Sequence, residues 1–226
     1  MSERIESSFE KKLNDLPSTI PIFPLRNCLL LPKSNLPLNL FENRYLHMFD
    51  YALLKDRLIG MIQPKEELTK QHEQPEIHSI GCVGQIIAFN QTNDNRYEIV
   101  LKGICRFSIR KELELVNGFR TASVKWESFK NDLKEYKTSL SGKRLKFEEK
   151  LKLYLKKINI KADWQAIEAS SDEDLLNSIS MGCPFSSIEK QALLEALSIE
   201  DRLDVLISLL DMSISENKSF QSKSLS

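Results

Sequence analysis

Ile80-Gly81-Cys82-Val83-Gly84-Gln85-Ile86-Ile87-Ala88-Phe89, then Asn90-Gln91-Thr92-Asn93-Asp94-Asn95, then Tyr97-Glu98-Ile99-Val100-Leu101 reads as a β-hairpin. Two runs rich in β-branched and apolar residues flank a polar loop of turn formers. Working outward, residues 104–110 and 119–126 alternate apolar and polar, the period of a half-buried strand. Upstream, Arg57-Leu58-Ile59-Gly60-Met61-Ile62-Gln63 predicts another strand. Ile20-Pro21-Ile22-Phe23-Pro24-Leu25 and Cys28-Leu29-Leu30-Leu31-Pro32 predict strands near sheet edges or ends, because proline cannot donate to a central ladder. A single helix interrupts them: Tyr45, Met48, Phe49, Ala52 and Leu53 fall on one stripe, with Glu42 at the positive end of its dipole. Many short strands around one helix predict a small barrel or curled sheet with the helix plugging an open face.

The second half changes period. Phe147, Leu151, Tyr154, Leu155 and Ile158 form an apolar stripe on a lysine-rich helix. Ser171-Asp172-Glu173-Asp174 opens a second helix through Leu175, Leu176 and Ile179, ending at Gly182 and Pro184. Ser186-Ser187-Ile188-Glu189 has the capping-box spacing, in which hydroxyl and carboxylate satisfy orphan amides reciprocally. Ser198-Ile199-Glu200-Asp201 resembles another, starting a helix with Leu203, Leu206, Ile207 and Leu210 inward. Residues 125–161 carry twelve basic and five acidic side chains, and residues 162–226 carry four basic and twelve acidic. The basic stretch suits RNA or an acidic partner, or is a solvated face near the acidic helices of its own chain.

Composition narrows the function classes. The 226 residues are 41% hydrophobic and 28% charged, within globular norms, and 32 Lys+Arg balance 32 Asp+Glu. A general polyanion binder carries a basic excess, which weighs against nucleic acid. Gly142-Lys143 lacks the preceding glycine of a P-loop, and no G-x-G-x-x-G or G-x-S-x-G occurs, so no nucleotide cofactor and no catalytic residue is expected. Gly81 and Gly84 read as backbone accommodations in a strand. Cys28, Cys82, Cys105 and Cys183 are widely spaced, so no metal site is expected, and buried free thiols fit a reducing compartment. Carboxylate pairs such as Glu66-Glu67 and Glu148-Glu149 lie in charged contexts where nothing would raise a pKa for acid catalysis. The N-terminus has no apolar signal-peptide core and no run approaches a membrane span, so a cytoplasmic protein is expected.

Pro21-Ile22-Phe23-Pro24-Leu25-Arg26, then Leu31-Pro32, then Leu36-Pro37-Leu38-Asn39-Leu40-Phe41-Glu42-Asn43-Arg44-Tyr45 resembles the amino-terminal domain of the Lon protease family. The similarity continues through Gly81-Cys82-Val83-Gly84, Lys102-Gly103-Ile104-Cys105-Arg106-Phe107, and Glu189-Lys190-Gln191-Ala192-Leu193-Leu194-Glu195 followed by Arg202. Asn43 stands where the family commonly has proline, and Lys33 where it commonly has glycine. The resemblance implies an α+β fold: a PUA-like β-barrel with one inserted helix, then a C-terminal helical bundle. The expected divisions are residues 1–19 as a partly flexible extension, 20–127 as barrel, 128–214 as bundle and 215–226 as flexible tail.

By the same resemblance the chain is a non-catalytic reader of unfolded or degron-bearing proteins, with a separate protease as a further partner and no membrane contact. A groove between barrel and bundle is the expected place for clients. The alternatives are an RNA-binding PUA-like protein and an uncharacterised hydrolase. Of the shared residues, Arg26, Glu42, Arg44 and Arg106 are expected to brace barrel against helix through ion pairs or backbone hydrogen bonds. Phe41 and Tyr45 are expected in the core. Pro24, Pro37, Gly81, Gly84 and Gly103 are expected to shape the backbone.

Overall fold

The computed structural model describes residues 12–65, 75–94, 96–135 and 140–223, without the side chains of Ser141 and residues 216–223. Glu66, Glu67, His72 and the first eleven residues of the expected extension lie outside the described residues. The fold is mixed α+β, and the chain divides into two compact units after Glu135.

Among its described residues the first unit holds six strands: β1 (Thr19–Pro24), β2 (Asn35–Leu40), β3 (Leu58–Ile62), β4 (Ile80–Gln91), β5 (Tyr97–Glu112) and β6 (Arg120–Lys125). Their order is β2-β5-β4-β3-β1-β6, and β6 also pairs with β5, so the sheet closes on itself with β2 outside the ring. Among the described strands, only β1 and β3 run parallel. Closure concentrates Ile20, Ile22, Val83, Cys105, Phe107, Ala122 and Trp126 in one buried cluster. The Trp126 indole N–H reaches the Pro17 carbonyl at 3.0 Å, so its polar edge is satisfied.

Between β2 and β3 lies helix α1 (Asn43–Leu53), which buries the predicted Tyr45, Met48, Phe49 and Ala52. Tyr45 packs on Phe23 of β1 with ring centroids 4.1 Å apart, and Phe49 on Tyr97 of β5 at 4.5 Å. The β5–β6 connection turns at Asn117-Gly118, with φ of 47° and 85°. Both left-handed values suit the two-residue hairpin turn that favours Asn-Gly.

Three expectations are corrected here. Residues 28–32 form no strand; Leu29, Leu30 and Leu31 are buried without joining the ladder. The strand instead follows at β2, where leucines alternate with Asn35, Pro37 and Asn39. The runs 97–101 and 104–110 are one strand, β5, because Gly103 continues the pairing across a register shift opposite Val83 and Gly84. The polypeptide after Trp126 stays with the sheet: a 3-10 segment (Glu127–Leu133) inserts Phe129 into the same cluster.

The second unit is helical: α2 (Ser141–Lys157), α3 (Trp164–Ala169), α4 (Asp172–Gly182), α5 (Ser187–Glu195) and α6 (Ile199–Lys223). Asp163 caps α3, accepting from the N–H groups of Gln165 and Ala166. Ser171 caps α4, accepting from the Asp174 N–H at 3.1 Å. The Ser186–Glu189 box forms in both directions, at 3.3 and 2.7 Å, and Ser198 with Asp201 repeats it at 3.0 and 3.1 Å. α6 packs against α2, α4 and α5. Its buried face is Leu203, Leu206, Leu209 and Leu210, with Leu209 taking the place expected of Ile207. The expected flexible tail is helical through Lys223, and residues 224–226 lie outside the described residues. Among the described residues, no helix is long and apolar enough to cross a membrane.

Candidate functional site at the free end of the sheet

Among the described residues strand β2 pairs only with β5, and β5 also with β4, so three strands lie side by side at this end. The register sets Leu38, Ile99 and Phe89 in one row and Pro37, Val100 and Ala88 in the next. Around these rows opens a shallow hollow of about 540 Å³, whose polar lining side chains are Asn39, Asn90 and Glu98. A register shift between Ile86 and Ala88 displaces Ile87, which is left exposed. Phe89 remains 53% exposed although its ring meets Phe49 edge-on at 5.4 Å. Phe41, just after β2, is 61% exposed beneath the Arg96 guanidinium, which sits 5.7 Å from its ring. An exposed apolar hollow with a polar rim is the hallmark of an interaction surface.

Phe41 therefore corrects its expected place in the core. Leu40 ends β2 facing inward and is buried, so its neighbour must face outward by strand alternation. Glu42 and Arg44 correct their expected bracing role. They pair with each other at 2.7 Å with more than two fifths of each side chain exposed, a local contact at the start of α1. Arg26 lies exposed in the turn after β1. Pro24 ends β1 opposite Ile62, and Pro37 sits in the outlying strand β2.

Arg106 does brace, but against a different element. Its Nη2 and Nε reach the two carboxylate oxygens of Asp132 at 2.8 and 2.9 Å, and its backbone N–H adds a third bond at 2.9 Å. The guanidinium also lies 4.4 Å from the Phe129 ring centroid, so these contacts tie β5 to the 3-10 segment. Gly103 has a strict requirement: a Cβ there would stand 2.0 Å from the Leu31 carbonyl oxygen. The Lys33 N–H donates to Gly103 O, and the Gly103 N–H donates to Ser34 O, both at 2.8 Å. Lys33 itself holds φ at 66°, the left-handed region where glycine is at ease. A Cβ on Gly81 would meet Met61 O at 2.5 Å, and one on Gly84 would meet Leu30 at 2.8 Å.

Burial and local contacts account for Cys105, Cys183 and His47. Burial pushes the Cys105 thiol up to about 12; Asp132 adds to the rise and Arg106 opposes it. Burial likewise pushes Cys183 up to about 11. Thiols held this far above neutrality are poor nucleophiles. His47 Nδ1 lies 3.1 Å from the Asn117 carbonyl, a structural contact across the hairpin turn.

Sequence reasoning missed the hollow lined by Leu38, Ala88, Phe89 and Val100. A usable signal exists in Ile86-Ile87-Ala88-Phe89, four consecutive apolar residues where alternation allows only every second one to face a core.

Comparison with known proteins finds relatives and solved structures of the same fold. A family model described as the ATP-dependent protease La (LON) substrate-binding domain matches residues 19–212. Lon protease from Heliobacterium modesticaldum is 25% identical over 203 residues, 89% of this chain and 25% of that protein. The chain thus spans a quarter of the length of that relative. A Lon N-terminal domain protein from Xanthomonas campestris superposes with a TM-score of 0.62 at 20% identity, covering 85% of this chain and 98% of that one. The N terminal domain of Mycobacterium avium complex Lon protease superposes with a TM-score of 0.61 at 16% identity, over the same shares.

Proposed function

The chain belongs to the ATP-dependent protease La (LON) substrate-binding domain family, and we propose that it captures exposed or unfolded segments of client proteins on the β2–β5–β4 end of its sheet. The observation that carries this reading is the apolar hollow on β2, β5 and β4, lined by Pro37, Leu38, Ala88, Val100 and the half-exposed Phe89. A folded protein buries such side chains, so a surface that displays them gains by covering the same groups on an unfolded chain. The polar rim of Asn39, Asn90 and Glu98 supplies hydrogen bonds without selecting one sequence. Such a reader needs no catalytic residue of its own. It presents clients to an ATP-dependent peptidase, carried on another chain or elsewhere on its own. The ring of strands closed by β5 and β6, with α1 packed on it, supports the PUA-like description of this unit.

Fluorescence anisotropy with labelled, carboxymethylated casein tests the reading. Ala88→Asp combined with Val100→Asp, both lining the hollow, should weaken binding at least about tenfold, since a few central apolar anchors dominate such interfaces. The melting temperature should stay within a few degrees of the parent. Unchanged affinity in a folded double variant would place the client surface elsewhere.

A further inference from the structure

Helix α2 turns one face inward and leaves a second, differently built face outward. The inward face carries Phe147, Leu151, Tyr154 and Leu155, and its flanking Lys143 and Lys150 pair with Asp204 and Asp211 of α6. On the opposite side, Leu145, Lys146, Glu149, Lys152, Leu153 and Lys156 occupy an arc of about 120° at 100° per residue. Leu145 is 70% exposed and Leu153 55%, with about 12 Å of helix rise between them. Among the described residues, neither Lys146 nor Lys156 forms an ion pair. Lys152 extends the face toward α3, its ammonium 5.7 Å from the Trp164 ring centroid.

We propose that this outward face of α2 docks an acidic, leucine-bearing helical segment of another protein. Charge complementarity carries the choice of occupant. Three lysines against one carboxylate surround two isolated apolar anchors, and the matching surface is two apolar side chains ringed by Asp and Glu. The chain already shows this pairing once, where leucines and aspartates of α6 meet leucines and lysines of α2. A second copy of the chain is a poorer occupant, because seven of the twelve acidic side chains in residues 162–226 are already engaged internally. Asp163, Asp174, Glu189 and Asp201 are held at helix starts, Asp172 by Arg144, and Asp204 and Asp211 by lysines. RNA would answer the lysines and leave the leucines uncovered. An anionic membrane needs a continuous apolar stripe, and here Glu149 and Lys152 separate the two leucines.

The test titrates the full chain against a labelled helical peptide of leucine, alanine and glutamate, its leucines eight residues apart. Comparators are the same peptide with lysine for glutamate, single-stranded oligouridylate, and phosphatidylcholine vesicles containing phosphatidylglycerol. The acidic peptide should bind saturably, and the lysine version should not bind. Lys146→Glu/Lys152→Glu/Lys156→Glu should weaken binding at least about tenfold, and Leu145→Ser/Leu153→Ser comparably. Both variants should keep the parent's helical circular dichroism, since every altered side chain is exposed. Ala88→Asp/Val100→Asp should leave this affinity unchanged, which separates this surface from the client surface. The proposal is overturned by absence of acidic-peptide binding near 1 mM (about the weakest affinity worth calling specific), or by equal binding of RNA or vesicles. It is equally overturned if the leucine variant binds as well as the parent, or if sedimentation shows a dimer that the lysine variant abolishes.

Discussion

The sheet unit and the helical unit use the same kind of charge pair in opposite surroundings. Arg106 and Asp132 are 3% and 9% exposed and join through three hydrogen bonds beneath an aromatic ring. Lys143 and Asp204 in the bundle are both more than half exposed, and Lys150 and Asp211 are about a third exposed or more. In the sheet unit the pair is part of the interior, so each partner depends on the other to offset its desolvation. In the bundle, water already solvates both partners, and the leucines behind them supply the cohesion. Burial, rather than the count of ion pairs, decides what each one contributes.

The sharpest way to break this contrast is Arg106→Ala. It strands the Asp132 carboxylate where little water can reach it, and we expect a loss of about 3–5 kcal/mol. Urea denaturation should show the midpoint moving while the slope stays constant. A loss below about 1 kcal/mol would mean that this pair behaves like those of the bundle.

Leu206→Ala probes the other side of the comparison. Leu206 is fully buried in α6, and its truncation should cost about 2–5 kcal/mol by lost transfer energy plus a cavity. Lys156→Ala, exposed on the outward face of α2, should change stability by less than about 1 kcal/mol. Thermal and chemical denaturation of the two variants would rank them directly. A lysine change costlier than the leucine change would invert the assignment of core and surface in this unit.

Legibility followed period and locality. Tyr45, Met48, Phe49 and Ala52 were readable because a 3.6-residue stripe has no other simple explanation. The Ser186–Glu189 box was readable because both partners lie within one helical turn. α3 was not, since six residues are too few to show a period, and only Asp163 marks its start. Leu29, Leu30 and Leu31 resemble a strand because burial on all sides yields the same apolar run with or without a ladder. The partner of Arg106 lies 26 residues away in a segment without periodicity, and the need for glycine at 103 comes from Leu31, far off in sequence. The candidate surface was hidden for a related reason: a run of apolar residues says that side chains are apolar, while the register shift beside Ile87 decides which are left outside.

The smallest expected effect tests the ladder between α2 and α6. Lys143 and Lys150 stand seven residues apart, as do Asp204 and Asp211, so the two helices run parallel with matched spacing. Lys157 continues the series by donating to the Ser213 carbonyl. Seven residues are nearly two helical turns, which returns each lysine to the same side of the leucine seam. A double-mutant cycle on Lys150→Ala and Asp211→Ala should give a coupling of about 0.2–1 kcal/mol at low salt. Raising ionic strength to about 1 M shortens the screening length to about 3 Å, and the coupling should fall toward zero. The coupling across Arg106 and Asp132, measured alongside with Asp132→Ala, should survive the same salt because ions cannot enter between buried partners. If both couplings vanished together, the sheet pair would be as open to solvent as the ladder. If neither fell, the lysine pairs would be holding the bundle rather than setting the register of its two longest helices.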